Sequence, residues 1–149
     1  MSREMLFKAK RLDNGEWVEG SLISTEDNSG FILRSKTKAF IPKGTNTFCS
    51  TECYEIDQTT LCQYTGLTDK NDKKIWENDI VTITLECDDY LIPSETGIVE
   101  YSYGQYELKV KAPDGQEAYS NLINKLSEAP FEIEKLGNIF DNPDLLEVK

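Results

Sequence analysis

Residues 63–81 read QYTGLTDKNDKKIWENDIV, in which a polar segment separates two partly apolar ones. The polar segment, Thr68–Lys74, is rich in residues that tolerate turns, which predicts a solvent-exposed loop. A tight bend must then lead into the strand that begins at Ile80. Asn78 suits this bend because Asn adopts the left-handed conformation more easily than other non-glycine residues, and the Asp79 carboxylate can accept bonds from nearby backbone N–H groups. The stretch therefore predicts an architectural corner with a positive φ at Asn78.

The segments after this corner have the period-2 alternation of half-buried strands. DIVTITLE (79–86) alternates apolar with polar residues, and QYELKVK (105–111) does the same after a turn marked by Gly104. Residues 117–127 predict one short helix, since Leu122 and Leu126 are spaced i, i+4. FEIEKLGNIF (131–140) is expected to close the sheet, and NPDLL (142–146) to start a last helical turn.

The first sixty residues predict short strands with explicit turns. Asp13-Asn14-Gly15 separates LFKAKRL from EWVEGSLI, and Asn-Gly accepts the positive φ angles of a tight hairpin. FILRS and AFIP complete a small antiparallel meander over residues 5–42, which ends at Pro42 because proline has no N–H for the ladder. Residues 43–62 predict either a short helix or an irregular connector, and a subdomain boundary falls near them.

The predicted fold class is mainly β, with minor α. Several short strands with strong turns over residues 63–149 predict an SH3-like β-barrel. We therefore expect a small antiparallel N-terminal subdomain, residues 1–62, and a C-terminal SH3-like barrel subdomain, residues 63–149. A chain of 149 residues with 38% hydrophobic and 10% aromatic residues can fill such a core without covalent staples.

The net charge is −11 and is unevenly distributed along the chain. Residues 1–50 hold 8 Lys+Arg against 6 Asp+Glu, whereas residues 51–149 hold 8 against 21. An acidic field repels phosphate backbones, so direct nucleic-acid binding is not expected. The charge favours solubility, a basic partner, or head-to-tail self-association through the oppositely charged ends. We expect an unidentified protein partner and a homo-oligomer.

The sequence predicts a cytoplasmic protein that does not enter membranes. No run approaches the ~20 apolar residues of a membrane span, and Met1–Arg11 lacks the apolar core of a signal peptide. In a reducing compartment the four cysteines stay as thiols. They are Cys49, Cys53, Cys62 and Cys87.

The residues give no sign of catalysis or of a bound group. The sequence contains no histidine, which removes the His-dependent nucleophilic, acid–base and metal-binding schemes. Phosphate-binding glycine motifs are also missing. The cysteines offer one loose pair, Cys49 and Cys53, where structural zinc uses close pairs, so buried thiols are the favoured interpretation. For Asp88 and Asp89 a solvated loop is favoured over weak binding of a divalent cation. We predict no catalytic residue, cofactor or metal.

A cluster of tyrosines is the candidate protein-binding surface. Tyr101 and Tyr103 are predicted to share one strand face, with Tyr106 across the following turn. Aromatic side chains on a barrel face can form a groove for an extended peptide. Ordinary cross-strand packing explains the same pattern. Trp17 and Trp76 are expected in the core or between the subdomains.

QYTGLTDKNDKKIWENDIV, together with LGNIFDNPDLL at 136–146, resembles the YopX family of phage and prophage proteins. The resemblance extends along the chain, from an opening strand like LFKAKRL to the final Asn-Pro segment. The family usually has glycine where Asp72 and Asn78 stand, and both replacements tolerate turn conformations. The resemblance implies a mostly β fold with an SH3-like C-terminal barrel, in the cytoplasm of a phage-bearing bacterial host, and no established activity. The residues of its fold-signature turns are Asp69, Asn71, Asn78, Asp79, Gly137 and Asn138.

Three hypotheses about function follow. The first is a phage or prophage accessory protein that is non-enzymatic and acts through protein–protein contacts. The second is an acidic DNA-mimic decoy that inhibits a host nucleic-acid-binding protein, which requires carboxylates spaced like phosphates on one surface. The third is a carboxylate- or metal-dependent enzyme, which no motif in the sequence supports.

Overall fold

The described residues form antiparallel β-strands with almost no helix, so the mainly β prediction is confirmed. The computed structural model describes residues 5–35, 39–40, 43–44, 49–50, 52–87, 90–91, 95–111, 116–121 and 131–146. The chain divides into two compact units, Met1–Tyr64 and Thr65–Lys149. Within the described residues, helices of the length and apolarity needed to cross a bilayer are absent.

The strands of the first unit are β1 (Phe7–Arg11), β2 (Trp17–Ser24), β3 (Gly30–Arg34), β4 (Ala39–Phe40), β5 (Cys49–Ser50) and the start of β6 (Cys53–Thr68). The first three form the predicted antiparallel meander, and β6 pairs with both β3 and β1, which makes a closed circuit of pairings. β4 pairs with β5 in a separate two-stranded sheet. The prediction that β4 belongs to the meander is therefore wrong, and Pro42 lies outside the described residues.

Alternating apolar residues build the core of the first unit. Ala9, Val18, Ile32 and Ile56 are its buried members. The predicted hairpin at Asn14-Gly15 is present, but only Gly15 has a positive φ, of 71°. The Asn14 side chain instead accepts a hydrogen bond from the backbone N–H of Glu16. The loop is therefore longer than a two-residue turn.

The second unit contains the end of β6, then β7 (Lys74–Trp76), β8 (Asp79–Cys87), β9 (Tyr90–Leu91), β10 (Glu95–Ser102), β11 (Gln105–Lys111), β12 (Glu117–Asn121), β13 (Phe131–Asn138) and a 3-10 helix, Pro143–Leu146. Its main sheet is antiparallel, in the order β12-β11-β10-β8-β13, with β9 added to β8. The predicted closing strand and the last helical turn are both confirmed. The SH3-like barrel stays a prediction.

The core of the second unit comes from the same alternation. Its buried residues are Ile75, Val81, Ile83, Val99, Tyr106, Leu108 and Ile133. On β11, Tyr106 and Leu108 face this core while Glu107 and Lys109 are partly exposed, as the period-2 pattern predicted. Trp76 is buried as expected, whereas Trp17 in the first unit is partly exposed, with the ammonium groups of Lys8 and Lys10 over its ring.

Two local predictions are wrong. Residues 53–62 form the beginning of β6 rather than a helix or connector, because Tyr54 and Ile56 alternate with Glu55 and pack on the core. Residues 117–121 form β12 rather than the start of a helix, and residues 122–127 lie outside the described part of the chain. Backbone pairing with β11 over five residue pairs outweighs the weak helical tendency of this segment.

The predicted positive φ at Asn78 is confirmed at 69°. We expect Asn78→Ala to lower the free energy of unfolding by about 1 kcal/mol more than Asn78→Gly does. Both substitutions remove the same side chain, so their difference isolates the cost of the left-handed backbone. Urea unfolding at neutral pH measures it. Equal stability of the two variants would contradict a conformational requirement at this corner.

Candidate functional site

Asp69, the first acidic residue of the loop Thr68–Lys74, is buried rather than solvated. The residue is 5% exposed, and its carboxylate accepts three backbone N–H bonds. Oδ1 accepts from Asn71 at 2.8 Å and from Lys73 at 2.9 Å, and Oδ2 accepts from Lys135 at 3.0 Å. The prediction that the whole loop faces solvent is wrong at this residue, because the carboxylate satisfies the N–H groups of its own turn.

The electrostatics of Asp69 follow from these bonds. Burial by itself raises the pKa of the carboxyl, but the N–H groups of Lys135, Lys73 and Asn71 more than offset burial. The pKa of Asp69 is therefore lowered, and the folded chain favours its ionised form. Because the third donor belongs to β13, the charge also holds the loop against the far end of the sequence.

Lys135 connects this loop to the corner at residues 77–79. Its backbone N–H binds Asp69, and its ammonium nitrogen lies 3.1 Å from Oδ2 of the fully buried Asp79. The same Asp79 oxygen accepts the Trp76 N–H at 2.7 Å, as predicted for a bend stabilised by this side chain. Asn78 donates its N–H to Val99 on β10. Lys135 therefore contacts both acidic residues, Asp69 through its backbone N–H and Asp79 through its ammonium group.

The Gly-Asn segment closes β13 by close packing of the backbone. A Cβ on Gly137 would lie 2.3 Å from the Asn142 side-chain oxygen, so a larger residue forces that side chain to move. The Asn138 side chain accepts the N–H groups of Phe140 and Asp141 at 3.0 and 2.9 Å. These bonds turn the chain towards the 3-10 helix. Every described contact of the signature residues serves the fold.

Sequence reasoning missed Lys135 and Asn142, whose partners are set by the tertiary fold. Of the two, only Asn142 lies inside a segment that the resemblance singled out. A lysine in a half-buried strand carries no local signal that its amine will reach a buried carboxylate. Nor does the sequence indicate that Asn142 packs on Gly137.

The three candidate tyrosines do not form one surface. Tyr106 is 3% exposed and belongs to the core, while Tyr101, opposite it on β10, is 54% exposed. Their rings make an edge-to-face contact with centroids 5.0 Å apart. Tyr103 is not on the strand: it lies in the turn between β10 and β11 and is 99% exposed. The candidate site is therefore the hairpin tip, Tyr101 and Tyr103.

The turn at the hairpin tip is strained at Tyr103. Tyr103 has φ 49° and Gly104 has φ 81°, and two positive φ angles are what a two-residue type I′ hairpin turn needs. Glycine adopts them without cost, whereas a bulky residue in this region is an outlier that costs roughly 1–2 kcal/mol. A side chain this exposed gains no burial in return. The aromatic residue at this position therefore has no structural reason.

The other candidate groups are not gathered into a site. Cys53 is an exposed thiol, and Cys62 is a buried thiol whose Sγ donates to the Thr60 carbonyl at 3.3 Å. The side chains of Cys49 and Cys87, and all of Asp88 and Asp89, lie outside what the structure describes. Over the described ranges, His, Cys, Asp and Glu side chains do not assemble into a group of three suited to a metal ion.

Acid should weaken the fold through Asp69. Because its folded pKa is lowered, its stabilisation is complete above the unfolded value of ~3.9 and is lost as pH falls through the folded pKa. We expect Asp69→Asn to lower the free energy of unfolding at pH 7 by about 2–4 kcal/mol and to flatten its decline below pH 4. Urea unfolding between pH 7 and pH 2 measures both effects. Asp72→Asn, in the same loop and exposed, is the control, and equal behaviour of the two variants would refute the role of Asp69.

Replacing Tyr103 should make the protein more stable. Tyr103→Asn puts Asn-Gly, the preferred pair for this turn, at the hairpin tip, and we expect the free energy of unfolding to rise by about 0.5–1 kcal/mol. The same replacement at the half-exposed Tyr101, where it removes the ring contact with Tyr106, should lower it. Thermal and urea unfolding compare the two variants. Loss of stability on Tyr103→Asn would mean that the tyrosine supports the fold.

The chain resembles known proteins in its fold and in its sequence pattern. Among solved structures, protein EF1440 from Enterococcus faecalis has a similar fold, with a TM-score of 0.57 over 98% of this chain and 100% of that one, at 22% sequence identity. No curated protein sequence matches the chain. The family described as YopX protein matches residues 6–147, which is nearly the whole chain and includes both signature segments. The chain belongs to the YopX family.

Proposed function

We propose that this protein is a non-enzymatic phage or prophage accessory protein that binds another protein through its β10–β11 hairpin tip. The observation that carries the proposal is Tyr103, fully exposed and held at a positive φ. Backbone strain in an aromatic residue that packs on nothing points to a function outside the fold. Tyr101, half-exposed on the adjoining strand end, extends the tip to two aromatic residues.

Tyrosine suits this role for physical reasons. Its ring offers a large contact area and its hydroxyl a hydrogen bond, while only two side-chain torsions must be fixed on binding. Tyrosines are accordingly enriched among the residues that dominate protein interfaces. The two-residue turn holds the tip in place, which lowers the entropy lost on association.

The proposal retains the finer expectations about architecture and assembly. An SH3-like barrel for residues 63–149 is supported by the five-strand antiparallel path of the second unit. An exposed tip can also bind a second copy of the chain, so the proposal includes a homo-oligomer. It also includes a cytoplasmic location in the host cell. Absence of histidine from the sequence supports a non-enzymatic role, since it removes the commonest acid–base group.

The acidic decoy is less well supported by the described carboxylates. The Lys70 ammonium lies 3.4 Å from Glu134 and 4.0 Å from Glu132. That of Lys109 lies 2.9 Å from Glu117 and 3.7 Å from Glu100. Lysines interleaved with the carboxylates interrupt the row of negative charges that a phosphate mimic needs.

Affinity capture from phage-bearing host cells tests the proposal. The tagged protein should retain a specific protein that Tyr103→Asn loses by roughly 30-fold or more, the effect expected of a dominant interface residue. Asn28→Gly is the matched control, because it changes another exposed turn residue of positive φ, at 64°, and should retain the partner fully. Mass spectrometry identifies the partner, and size-exclusion chromatography with light scattering gives the oligomeric state. A set of captured proteins that is the same for Tyr103→Asn and the wild type would reject the hairpin tip as the binding site.

A further inference from the structure

We propose that Asn14 and Gly15, in the turn between β1 and β2, form a site of spontaneous covalent modification. At this site the backbone nitrogen of Gly15 attacks the Asn14 side chain and converts the asparagine to aspartate and isoaspartate. Both residues are exposed, so water and hydroxide reach them freely. The inference concerns the first unit and is independent of the role proposed for Tyr103.

The sequence and the backbone at this turn favour the attack. Of the nine asparagines in the sequence, only Asn14 precedes a glycine. Gly15 has a φ of 71°, and within the described part of the chain no atom beyond its neighbours lies within 4 Å of the place where a Cβ would stand. The approach to its nitrogen is therefore unhindered, and glycine supplies the backbone freedom that ring closure requires. Asn28 is also exposed and in a turn, but it precedes Ser29, whose side chain hinders the same approach.

The reaction uses only water and hydroxide. The Gly15 nitrogen loses its proton to hydroxide and bonds to Cγ of Asn14, and the bond between Cγ and Nδ2 breaks. Nδ2 takes up a proton from water and leaves as ammonia, so a cyclic succinimide remains. Water then opens the ring at either of its carbonyls. Opening at the side-chain carbonyl gives aspartate, whereas opening at the main-chain carbonyl gives isoaspartate, in which the main chain runs through the former side chain.

The folded turn restrains both reacting groups. The Gly15 N–H donates to the Arg11 carbonyl at 2.9 Å, and a proton held in this way is harder to remove. The Asn14 side chain is bound to Glu16: Oδ1 accepts the Glu16 N–H at 3.0 Å, and Nδ2 donates to the Glu16 carboxylate at 3.2 Å. The side-chain amide is thereby held by the residue after Gly15. Attack must therefore wait until the turn opens.

Local opening of this turn is sufficient for the reaction. Its two side-chain hydrogen bonds are exposed to solvent, and Leu12, its apolar residue, is 58% exposed. Segments with few buried contacts open at a much smaller free-energy cost than the whole domain unfolds. We therefore expect modification to proceed in the folded protein, at a rate that the bonds to Glu16 and Arg11 hold below that of an unfolded chain.

The modification also changes the turn. The amide that donates to the Glu16 carboxylate becomes a carboxylate that repels it. In the isoaspartate product the main chain is longer by one carbon, which displaces the Gly15 N–H from the Arg11 carbonyl. Conversion of Asn14 therefore adds a negative charge and loosens the link between β1 and β2.

Peptide mapping during incubation of the folded chain in mildly alkaline buffer tests the site. Trypsin cleavage after Arg11 and Arg34 places Asn14 and Asn28 on one peptide, so each is the reference for the other. Fragmentation by electron transfer distinguishes aspartate from isoaspartate. We expect both products at position 14 and slower conversion of Asn28. Aspartate alone would mean that water attacks the amide in place of Gly15, and this result, no conversion, or faster conversion of Asn28 would overturn the proposal.

A pair of variants tests the restraint by the folded turn. Glu16→Ala removes the carboxylate that holds Nδ2, and we expect it to accelerate conversion of Asn14 about threefold. Glu19→Ala, which removes an exposed glutamate from β2 beyond the turn, is the control and should leave the rate unchanged. Circular dichroism verifies that both variants are folded. Unfolding of the wild type in urea should accelerate conversion by roughly tenfold or more. Equal rates for the two variants, or for the folded and unfolded chain, would refute the restraint.

Discussion

A single buried carboxylate holds the second unit together. Asp69 accepts two N–H bonds from its own loop and a third from Lys135, 66 residues further along the chain. Lys70, its neighbour, donates its backbone N–H to the Ile133 carbonyl, so the loop lies along the outer side of β13. An exposed strand edge invites pairing with other chains, and this loop covers part of it. The amine of Lys135 then joins Asp79, which fixes the bend before β8. Loop, closing strand and corner therefore depend on one another, and this mutual dependence accounts for the signature segments better than any catalytic reading of their polar residues.

Sequence reasoning succeeded where the decisive information lies within a few residues. The alternation in β8 and β11, the hairpin at Gly15 and the positive φ of Asn78 each follow from local chemistry. It failed where a distant partner decides. From the sequence alone, Asp69 is indistinguishable from the other acidic residues of its loop, because its partner Lys135 lies in β13. The pattern of residues 117–121 is ambiguous, because pairing with β11 decides that they form a strand. The candidate site was predicted in the same partial way. Gly104 indicated the turn, but only the register of Tyr101 opposite Tyr106 shows that the turn includes Tyr103 and that Tyr106 belongs to the core.

Four non-glycine residues among those described have a positive φ, and comparison of them isolates Tyr103. Asn28, Asp72 and Asn78 are the residue types that tolerate this conformation. Each also donates its backbone N–H to a carbonyl: Thr25 for Asn28, Asp69 for Asp72 and Val99 for Asn78. Tyr103 has the wrong side chain for its backbone and almost complete exposure. This rule of local consistency holds at three turns and fails at the fourth, and that failure is the observation from which we propose a binding role for Tyr103.

The packing behind the hairpin tip explains why the fold tolerates a positive φ at Tyr103. Behind the turn, Tyr106 and Leu108 are buried, and Tyr101 packs its ring against Tyr106, so the last pairs of the hairpin are held by the core of the unit. Strain at one turn residue is then a local cost of about 1–2 kcal/mol, small against what a packed sheet supplies. In return the tip presents its aromatic side chain from a stiff two-residue loop, so that little conformational freedom remains to be lost on contact with a partner. A flexible loop would have relieved the strain at Tyr103, and it would have lost the fixed position from which the aromatic side chain is presented.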